Sequence, residues 1–400
     1  MHAMKILIGC SSPPDKGAGI LSYTRELAEA FLRHGAEVHF ASPSPSDWSW
    51  VKDHSIKHVP TERNDTPIKA ARRVLSYIKA EGVNGVINND NSVIQSITPG
   101  LTCPVVVIGH MSTSSIASLA CYRPEWSDYV VAISNDMHKT FVLKYGVPVV
   151  KCPIIHSGML DIGHNRIASR PSDGVLRVMF VGGYNRFKGG THVLTALLNG
   201  SPKWKGMELS WYGGGVPQNV LRKVSQLPYV KFYGQVPREI LLNALRSSDV
   251  LLFPSRLEGC PMALIEAMSL GVLPIVSDGI GAMRWLITSG LNGYVCNLRR
   301  WPDQMFECLV HLHEHTEILA KMKAAVRERF LAEYQSDRVA NKIFDLLQHP
   351  TVNRTHPPEQ FTVLRWHRPL RPDGLKSPLI DRIVIRLGLL REAGQGTPSE

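Results

Sequence analysis

The sequence has no apolar run long enough to cross a lipid bilayer, which takes about 18 or more consecutive apolar residues. Its first residues lead directly into an apolar strand pattern, without the regions that make up a secretion signal. Its seven cysteines are scattered and none forms a C-x-x-C pair, which argues against a disulfide framework or a zinc site. These absences predict a cytoplasmic protein.

The sequence also lacks a dense run of lysine and arginine with interleaved aromatic residues, so we do not expect nucleic-acid binding. Its net charge is nevertheless +11, which suits anionic ligands such as nucleotides or an anionic membrane face. A complete G-x-G-x-x-G fingerprint after the first strand is absent too. This absence disfavours a dehydrogenase.

No Asp-x-Asp pair occurs anywhere in the chain. Enzymes that hold a nucleotide diphosphate through a divalent metal commonly use closely spaced carboxylates. We therefore expect no metal and no other cofactor, with a helix end and basic side chains holding the diphosphate instead. His311 and His315 would share a helical face, but two histidines alone do not predict a metal site.

What the sequence does contain is a repeated alternation of short apolar strands and helical segments. The first series begins at Lys5–Ile8, and the pattern restarts at Val175–Val181. Strands that alternate with helices indicate parallel sheets. The sequence therefore predicts an α/β fold with two Rossmann-like domains facing a cleft, whose ligands bind beyond the carboxyl ends of the strands.

Changes in composition suggest the domain boundaries. We place a first Rossmann-like domain at 1–160, a polar linker at 161–174 and a second Rossmann-like domain at 175–349, which ends in a long helical region. Residues 350–400 form a basic extension. Such a tail could lie on an anionic membrane face, pack on the protein or stay mobile.

Two glutamates lie eight residues apart in the segment 255–271. Glu258 precedes a predicted buried helix with Pro261 at its first position, and Glu266 lies inside that helix. The free N–H groups of the first helical turn attract a phosphate, whereas carboxylates accept hydrogen bonds from sugar or ribose hydroxyls. The combination predicts a nucleotide-sugar site. The alternative is structural, with Glu266 paired to an internal arginine and Glu258 solvated.

Three further segments follow predicted strands. Gly17 and Gly19 lie before the first helix, where glycine allows a ligand close to the backbone, although a simple tight turn explains them equally well. Arg186 and Lys188 lie in a glycine-rich loop, where cations would stabilise a departing diphosphate, although a solvated basic loop is the alternative explanation. His110 ends a strand of the first domain and is either a ligand of a substrate hydroxyl or a structural histidine.

Together these segments resemble glycosyltransferase family 4, a group of retaining enzymes with the GT-B fold. The resemblance covers roughly residues 5–348 and is sharpest in the stretch EGCPMALIE, from Glu258 to Glu266. It implies that the domain at 1–160 lies on the acceptor side and that the domain at 175–349 binds the nucleotide-sugar donor. Within the second domain it implies that Glu266 binds the ribose and that Glu258 lies near the donor sugar. It also implies backbone contacts of sugar and diphosphate with four consecutive residues, Gly259, Cys260, Pro261 and Met262.

The same resemblance implies roles for the remaining candidates. Gly17 and Gly19 match a turn near the donor phosphate, and Arg186 and Lys188 lie in the loop that contacts it. His110 matches a histidine near the reacting sugar. The residues that we expect to take part in catalysis are therefore His110, Lys188 and Glu258.

The expected function is that of a retaining, metal-independent glycosyltransferase, which moves a sugar from a nucleotide-diphosphate sugar to an acceptor hydroxyl. The acceptor is a glycan, a lipid-linked molecule or a small molecule. Two alternatives stay open, a nucleotide-sugar epimerase of the same fold and a catalytically weak glycan- or nucleotide-binding protein. The second arises because Gly183 stands where the family usually has an arginine, and Arg186 either replaces that arginine or does not.

Overall fold

The structure is a computed structural model that describes eight stretches of the chain. These are residues 4–12, 19–42, 48–60, 65–163, 173–199, 201–354, 361–364 and 392–396. The chain divides into two compact units, the first comprising Met1–Gly158 with Ser336–Glu400 and the second comprising Met159–Gln335. Among the described residues, we find no helix long and apolar enough to cross a membrane.

The first unit contains a parallel sheet of six strands in the order β3-β2-β1-β4-β5-β6. The strands are β1 (Lys5–Cys10), β2 (Glu37–Ala41), β3 (Lys57–His58), β4 (Gly85–Asn89), β5 (Val105–Gly109) and β6 (Tyr129–Ala132). The helices between and after them are α1 (Gly19–Arg33), α2 (Ser49–Asp53), α3 (Pro67–Glu81), α4 (Ser92–Ile97), α5 (Ser114–Ala120) and α6 (Asn135–Tyr145). Every residue of β4 and β5 is buried, as expected for central parallel strands covered on both faces.

Local sequence signals set the ends of several helices, and α3 shows how. Pro67 occupies its first turn, and the side chain of Thr66 accepts a hydrogen bond from the Lys69 backbone N–H at 3.3 Å. Gly82 follows the helix with φ +65°, a left-handed conformation that glycine adopts at low cost. These caps orient α3 between β3 and β4.

The second unit contains another parallel sheet of six strands, in the order β12-β11-β10-β7-β8-β9. The strands are β7 (Leu176–Val181), β8 (Met207–Tyr212), β9 (Val230–Gly234), β10 (Val250–Phe253), β11 (Leu273–Ser277) and β12 (Tyr294–Cys296). The helices are α7 (Gly190–Asn199), α8 (Gln218–Val224), α9 (Arg238–Arg246), α10 (Met262–Ser269), α11 (Met283–Leu286), α12 (Trp301–Glu314) and α13 (Thr316–Glu333). The two parallel sheets confirm the predicted α/β fold with two Rossmann-like domains.

Each sheet reverses its direction of strand addition beside its own first strand. The reversal falls between β1 and β4 in the first unit and between β7 and β10 in the second. The loops at the carboxyl ends of such neighbouring strands diverge to opposite faces of the sheet and leave room for a ligand. In each unit the fold therefore favours ligand binding at the carboxyl ends of the two strands that flank the reversal.

The last long helix corrects a predicted boundary. Helix α14 (Ser336–Gln348) belongs to the first unit, so the second unit ends at Gln335 and not at residue 349. The guanidinium of Arg33 on α1 donates to Ser336 Oγ and Asp337 Oδ1, both at 2.8 Å. The apolar face of α14 needs an apolar partner, which α1 supplies. Periodicity in the sequence shows such a face but not its partner.

The predicted linker and extension are described only in part. Residues 164–172 of the linker lie outside the described residues, as do residues 355–360, 365–391 and 397–400 of the extension. At the start of the linker, Asp161 is paired with Arg327 in the second unit. At the start of the extension, Arg354 lies 2.6 Å from Asp128 Oδ2 in the first unit. Strands β13 (Phe361–Leu364) and β14 (Glu392–Gly396) form an antiparallel pair.

Candidate functional site

The loops after β7 and β10 bring together two of the predicted catalytic residues. The Lys188 ammonium lies 2.7 and 3.0 Å from the two carboxylate oxygens of Glu258. Glu258 is 7% exposed, so it is buried and not solvated, contrary to the structural alternative. Because β7 and β10 flank the reversal of strand order, this ion pair lies where the fold favours ligand binding.

Backbone geometry holds these two loops against each other. The Asn185 side chain accepts hydrogen bonds from the backbone N–H groups of Phe187 and Lys188, at 3.0 and 2.8 Å. Gly189 has φ +77°, and a Cβ atom there would lie 2.2 Å from the carbonyl oxygen of Pro254. Glycine is therefore required at position 189. The close approach of its backbone to Pro254 fixes the position of the neighbouring Lys188 backbone.

The loop after β11 positions the backbone around Glu258. Glu258 N donates to the carbonyl of Ile280, and Ala282 N donates to the carbonyl of Gly259, both at 2.9 Å. Gly281 has φ +125°, and a Cβ atom there would lie 2.0 Å from the Glu258 carbonyl oxygen. Three neighbouring loops thus converge on this glutamate.

The turn from Glu258 into α10 has the features of an anion site. Four buried residues form it, Gly259, Cys260, Pro261 and Met262. Helix α10 begins at Met262, so Pro261 is its N-cap residue and not its first helical residue as predicted. Proline offers no side-chain hydrogen bond to the first turn. The N–H groups of that turn and the helix dipole therefore favour a negatively charged ligand.

Glu266 on α10 is buried and has the arginine partner that the structural alternative anticipated. Arg238 Nε and Nη2 lie 2.9 and 2.8 Å from Glu266 Oε1. Burial raises the pKa of Glu266, and the charge and hydrogen bonds of Arg238 oppose that rise. Both contacts use Oε1, so the pairing does not require Oε2.

Arg186 and Gly183 occupy the same glycine-rich loop without joining the ion pair. Arg186 is exposed, and its guanidinium lies 5.9 Å from the centre of the Phe187 ring. A Cβ atom on Gly183 would lie 3.2 Å from the Asn185 amide nitrogen and 3.4 Å from the Gly214 carbonyl. The loop is thus closely packed at the position where family 4 usually has an arginine.

His110 lies at the carboxyl end of β5 in the first unit. Its ring packs edge-on against Tyr23 at 4.9 Å, and its Nε2 lies 3.1 Å from Asn89 Oδ1. The side-chain N–H of Asn89 donates to Thr24 Oγ1, so the side-chain oxygen of Asn89 accepts a hydrogen bond from His110 Nε2–H. This tautomer leaves Nδ1 of His110 as an acceptor. Burial lowers the pKa of His110 to about 3, so the ring is neutral at pH 7.

Asp90 is a candidate that the sequence reasoning missed. It follows β4 at the reversal between β1 and β4, and its φ of +54° is strained for a residue other than glycine. Its Oδ1 is buried with no hydrogen-bond partner among the described residues, while the backbone N–H of His110 donates to its carboxyl group. Burial raises its pKa well above the usual range. An aspartate directly after an apolar strand was the available signal.

The glycines predicted near the donor phosphate contribute less. Gly17 lies outside the described residues. Gly19 is the first residue of α1, and a Cβ atom there would meet nothing within 4 Å. The structure therefore shows no steric need for glycine at position 19.

One group of side chains in the described part of the chain has the spacing of metal ligands. Ligand atoms of Glu37, His39 and Glu81 lie within 4.8 Å of one another. The Lys57 ammonium, however, is 2.7 Å from Glu37 and 2.9 Å from Glu81. The lysine supplies the positive charge that these carboxylates need, and the group is an ion-pair network.

The matches to known proteins agree with this geometry. Residues 176–315, which carry Lys188, Glu258 and Glu266, match the family model of the glycosyl transferases group 1. This stretch is similar in sequence to the glycosyl transferases group 1. The resemblance to glycosyltransferases inferred from the sequence is thereby confirmed. Membership of family 4 in particular, and retention of configuration, stay predictions.

A relative from Escherichia coli, UDP-Gal:α-D-GlcNAc-diphosphoundecaprenol α-1,3-galactosyltransferase, is 29% identical over 117 residues. The match covers 29% of this chain and 30% of the relative, so it spans less than a third of that protein's length.

Two solved structures share the fold over most of the chain. A glycosyltransferase from Rickettsia africae is 14% identical with a TM-score of 0.73, covering 87% of this chain and 99% of its own. An Anabaena protein crystallised with UDP is 14% identical with a TM-score of 0.70, covering 86% and 100%. At this identity the likeness concerns the fold alone, and it agrees with the predicted GT-B architecture.

Proposed function

We propose that this chain is a retaining, metal-independent glycosyltransferase that transfers a hexose from a UDP-sugar to an acceptor hydroxyl. The observation that carries the proposal is the Lys188–Glu258 pair beside the uncapped start of α10, inside the stretch that matches the group 1 glycosyltransferases. UDP is the first nucleotide to test, and galactose the first sugar. The Escherichia coli relative is named for UDP-Gal, and the Anabaena structure contains UDP.

The donor diphosphate binds at the N-terminal turn of α10. The Lys188 ammonium is the cation that stabilises the negative charge on the departing diphosphate. Glu258, released in part from Lys188, accepts hydrogen bonds from hydroxyls of the donor sugar. The backbone from Gly259 to Met262 supplies N–H donors around the same groups.

Glu266 binds the ribose of the nucleotide. Arg238 already uses Oε1, and its charge opposes the rise in the pKa of Glu266 that burial causes. The two ribose hydroxyls are donors that match the remaining acceptor positions of that carboxylate. The arginine contact and the ribose contact are therefore compatible roles of one side chain.

The carboxyl edge of the first unit binds substrate hydroxyls through His110 and Asp90. The neutral His110 ring offers Nδ1 as an acceptor, and the unpaired Oδ1 of Asp90 gains a partner when a substrate hydroxyl forms a hydrogen bond with it. The acceptor oxygen attacks the anomeric carbon on the face from which the diphosphate leaves, and its proton passes to a departing phosphate oxygen. The mechanism therefore needs neither a side-chain nucleophile nor a separate base. This front-face route is what the family resemblance implies.

The acceptor is a glycan on a lipid carrier at the cytoplasmic face of a membrane. The Escherichia coli relative is named for an acceptor on diphosphoundecaprenol, and the C-terminal extension of this chain is basic enough to contact anionic lipid. The extension would keep the enzyme at the surface that holds its acceptor.

The first experiment measures thermal unfolding with UDP-, GDP-, ADP- and TDP-sugars in EDTA. A ligand at about 100 times its dissociation constant stabilises the folded state by roughly 2.7 kcal/mol, which shifts the melting temperature measurably. We expect a shift with UDP-sugars alone. A shift that appears only when a divalent metal replaces EDTA would contradict metal independence, and no shift with any donor would favour a protein without a donor site.

Nuclear magnetic resonance of the products then separates transfer from the alternatives. A glycosyltransferase releases UDP and forms a new glycosidic bond with the donor's anomeric configuration. An epimerase converts one nucleotide sugar into another without forming a glycosidic bond. Inversion at the anomeric carbon would refute the retaining mechanism while leaving the transferase assignment intact.

A further inference from the structure

Three hydrogen bonds in the first unit connect the start of α1 to His110. Thr24 Oγ1 donates to the carbonyl of Ile20 at 2.7 Å, about one helical turn before it. The side-chain nitrogen of Asn89 lies 3.2 Å from Thr24 Oγ1, and the side-chain oxygen of Asn89 lies 3.1 Å from His110 Nε2. Thr24 and Asn89 are each 0% exposed, so water does not compete for these bonds.

Protons can be donated in only one direction along these bonds. A carbonyl oxygen accepts and never donates, so the single hydroxyl proton of Thr24 points to Ile20. Thr24 Oγ1 then accepts from its other neighbour, which places the NH2 group of Asn89 toward Thr24 and the oxygen of Asn89 toward the imidazole. That oxygen needs a donor, and His110 Nε2–H supplies it. A backbone carbonyl in α1 thus determines the tautomer of a ring at the end of β5.

Cys10 at the end of β1 is a second neighbour of the Thr24 hydroxyl. Its sulfur lies 3.6 Å from Thr24 Oγ1, against 2.7 Å for the Ile20 carbonyl oxygen, and sulfur is a weak acceptor. Burial raises the pKa of the Cys10 thiol to about 11, so the sulfur keeps its proton at pH 7. A neutral thiol does not take the hydroxyl proton from the carbonyl, and the direction of donation is preserved.

The hydrogen bonds end where the fold favours a ligand. Asn89 is the last residue of β4, which flanks the reversal of strand order in the first unit, and His110 directly follows β5. Burial lowers the pKa of His110 to about 3, so at pH 7 the ring is neutral and has one protonated nitrogen. The tautomer therefore decides whether the other nitrogen, Nδ1, is a donor or an acceptor.

We propose that Thr24 and Asn89 are positioning residues, which hold His110 in the Nε2–H tautomer and so keep Nδ1 an acceptor for a substrate hydroxyl. Each of them acts through the ring and not by contact with the substrate. The identity of that ligand rests on the proposed function. The direction of donation does not, because it follows from contacts within the first unit.

Nitrogen-15 NMR of the full chain at pH 7, labelled at histidine, tests the proposal. Protonated and unprotonated ring nitrogens differ widely in chemical shift, and the His110 signals are those that His110→Gln removes. We expect the ring of the parent chain to carry its proton on Nε2. A ring protonated at Nδ1 would overturn the proposal.

Two variants break the hydrogen bonds at different points. Asn89→Leu removes the acceptor of the Nε2 proton, and a buried N–H without a partner is unfavourable. We expect the proton to move to Nδ1 in most molecules and kcat to fall at least about tenfold, because Nδ1 no longer accepts. Thr24→Val should allow the Asn89 amide to turn and give a mixture of tautomers, whereas Thr24→Ser keeps the hydroxyl and should keep the Nε2–H form.

Asn292→Leu is the matched control in the second unit. Asn292 is 1% exposed and donates to the Leu286 carbonyl at 3.1 Å, so this variant also loses a buried amide hydrogen bond. It should lower the urea midpoint about as much as Asn89→Leu and leave the His110 tautomer unchanged. A tautomer that changes equally in the control would show a general effect of destabilisation and overturn the proposal. An unchanged tautomer in both Asn89→Leu and Thr24→Val would overturn it as well.

Transfer and tautomer are measured separately, so the two proposals are distinguishable. If the proposed function is wrong, the parent chain transfers no sugar, whatever the tautomer of His110. If the positioning role is wrong, the parent chain transfers sugar and Asn89→Leu retains either the parent tautomer or, with a changed tautomer, the parent kcat.

Discussion

Replacing Lys188 by methionine tests whether the ion pair with Glu258 serves catalysis or stability. The ammonium contacts both carboxylate oxygens, and the lysine side chain is 47% exposed. Methionine keeps most of the chain's length and removes its charge. A structural role and a catalytic role of this pair predict different effects of the substitution on the free energy of unfolding and on kcat.

The expected loss of stability is modest. A lysine that is half exposed to water gains about 1 kcal/mol or less from an ion pair after solvent screening. Because Glu258 is buried, loss of its partner raises the expected destabilisation to about 1 to 3 kcal/mol. If the same ammonium stabilises the departing diphosphate, its removal costs about 3 to 4 kcal/mol in the transition state. Because each 1.36 kcal/mol is about a factor of ten in rate, kcat should fall by roughly 100- to 1000-fold.

Lys231 provides a matched control in the same unit. Its ammonium lies 3.0 Å from Glu208, and its side chain is 59% exposed, so it forms a similar pair away from the loops after β7 and β10. Lys231→Met should destabilise the protein no more than Lys188→Met, because Glu208 is more exposed than Glu258, and should leave kcat unchanged. Urea denaturation measures the stability of both variants, and release of UDP from the donor with an acceptor present measures kcat.

Two results would refute the reasoning. Lys188→Met with normal kcat would remove the lysine from the catalytic step. A loss of several kcal/mol in the free energy of unfolding would show that the pair chiefly holds the loops together, and the loss of activity would then follow from local unfolding.

Three other changes give separate tests. Glu266→Gln should weaken UDP-sugar binding at least about tenfold, since a hydrogen bond to a charged group contributes roughly 1.5 to 3 kcal/mol; normal affinity by calorimetry would remove the ribose assignment. Gly189→Ala should destabilise the protein by about 1 to 3 kcal/mol in urea, because its Cβ atom would clash with Pro254 at positive φ; an unchanged midpoint would contradict the geometry. The raised pKa of Asp90 means that the folded protein keeps a proton that the unfolded chain loses, so its contribution to stability falls as the pH rises above about 4. Asp90→Asn should flatten that part of the pH–stability profile and slow transfer, whereas an unchanged profile would show that the carboxyl group is not buried as described.

The pairing of Lys188 with Glu258 shows how far sequence patterns reach. Both residues were predicted as donor-site candidates from the loops in which they lie, yet they are 70 positions apart. Alternating strands and helices indicate that loops meet at the carboxyl edge of a sheet. Which loops become neighbours depends on strand order, and the order β10-β7 is not encoded in either loop.

Glu266 and Asp90 are two residues whose contacts the local sequence pattern does not determine. The sequence raised two readings of Glu266, and the Arg238 contact shows that a structural partner is present without excluding a ribose contact. Asp90 was missed because an aspartate after a strand is ordinary. Its positive φ and unpaired oxygen arise only from the packing of neighbouring segments around it.

The sequence by itself determined the α/β class and the two parallel sheets, because these follow from the periodicity of apolar residues and from short-range chain geometry. The segment from Glu258 to Glu266 pointed to a glycosyltransferase only through its resemblance to a known family. The tertiary structure decided the partners: Arg238 for Glu266, Lys188 for Glu258, and α1 for the helix Ser336–Gln348, which returns to the first unit. The pattern of apolar residues indicates only that one face of a helix must be buried. The choice among equally apolar or oppositely charged partners is made by distance and orientation, which arise when the whole chain has folded.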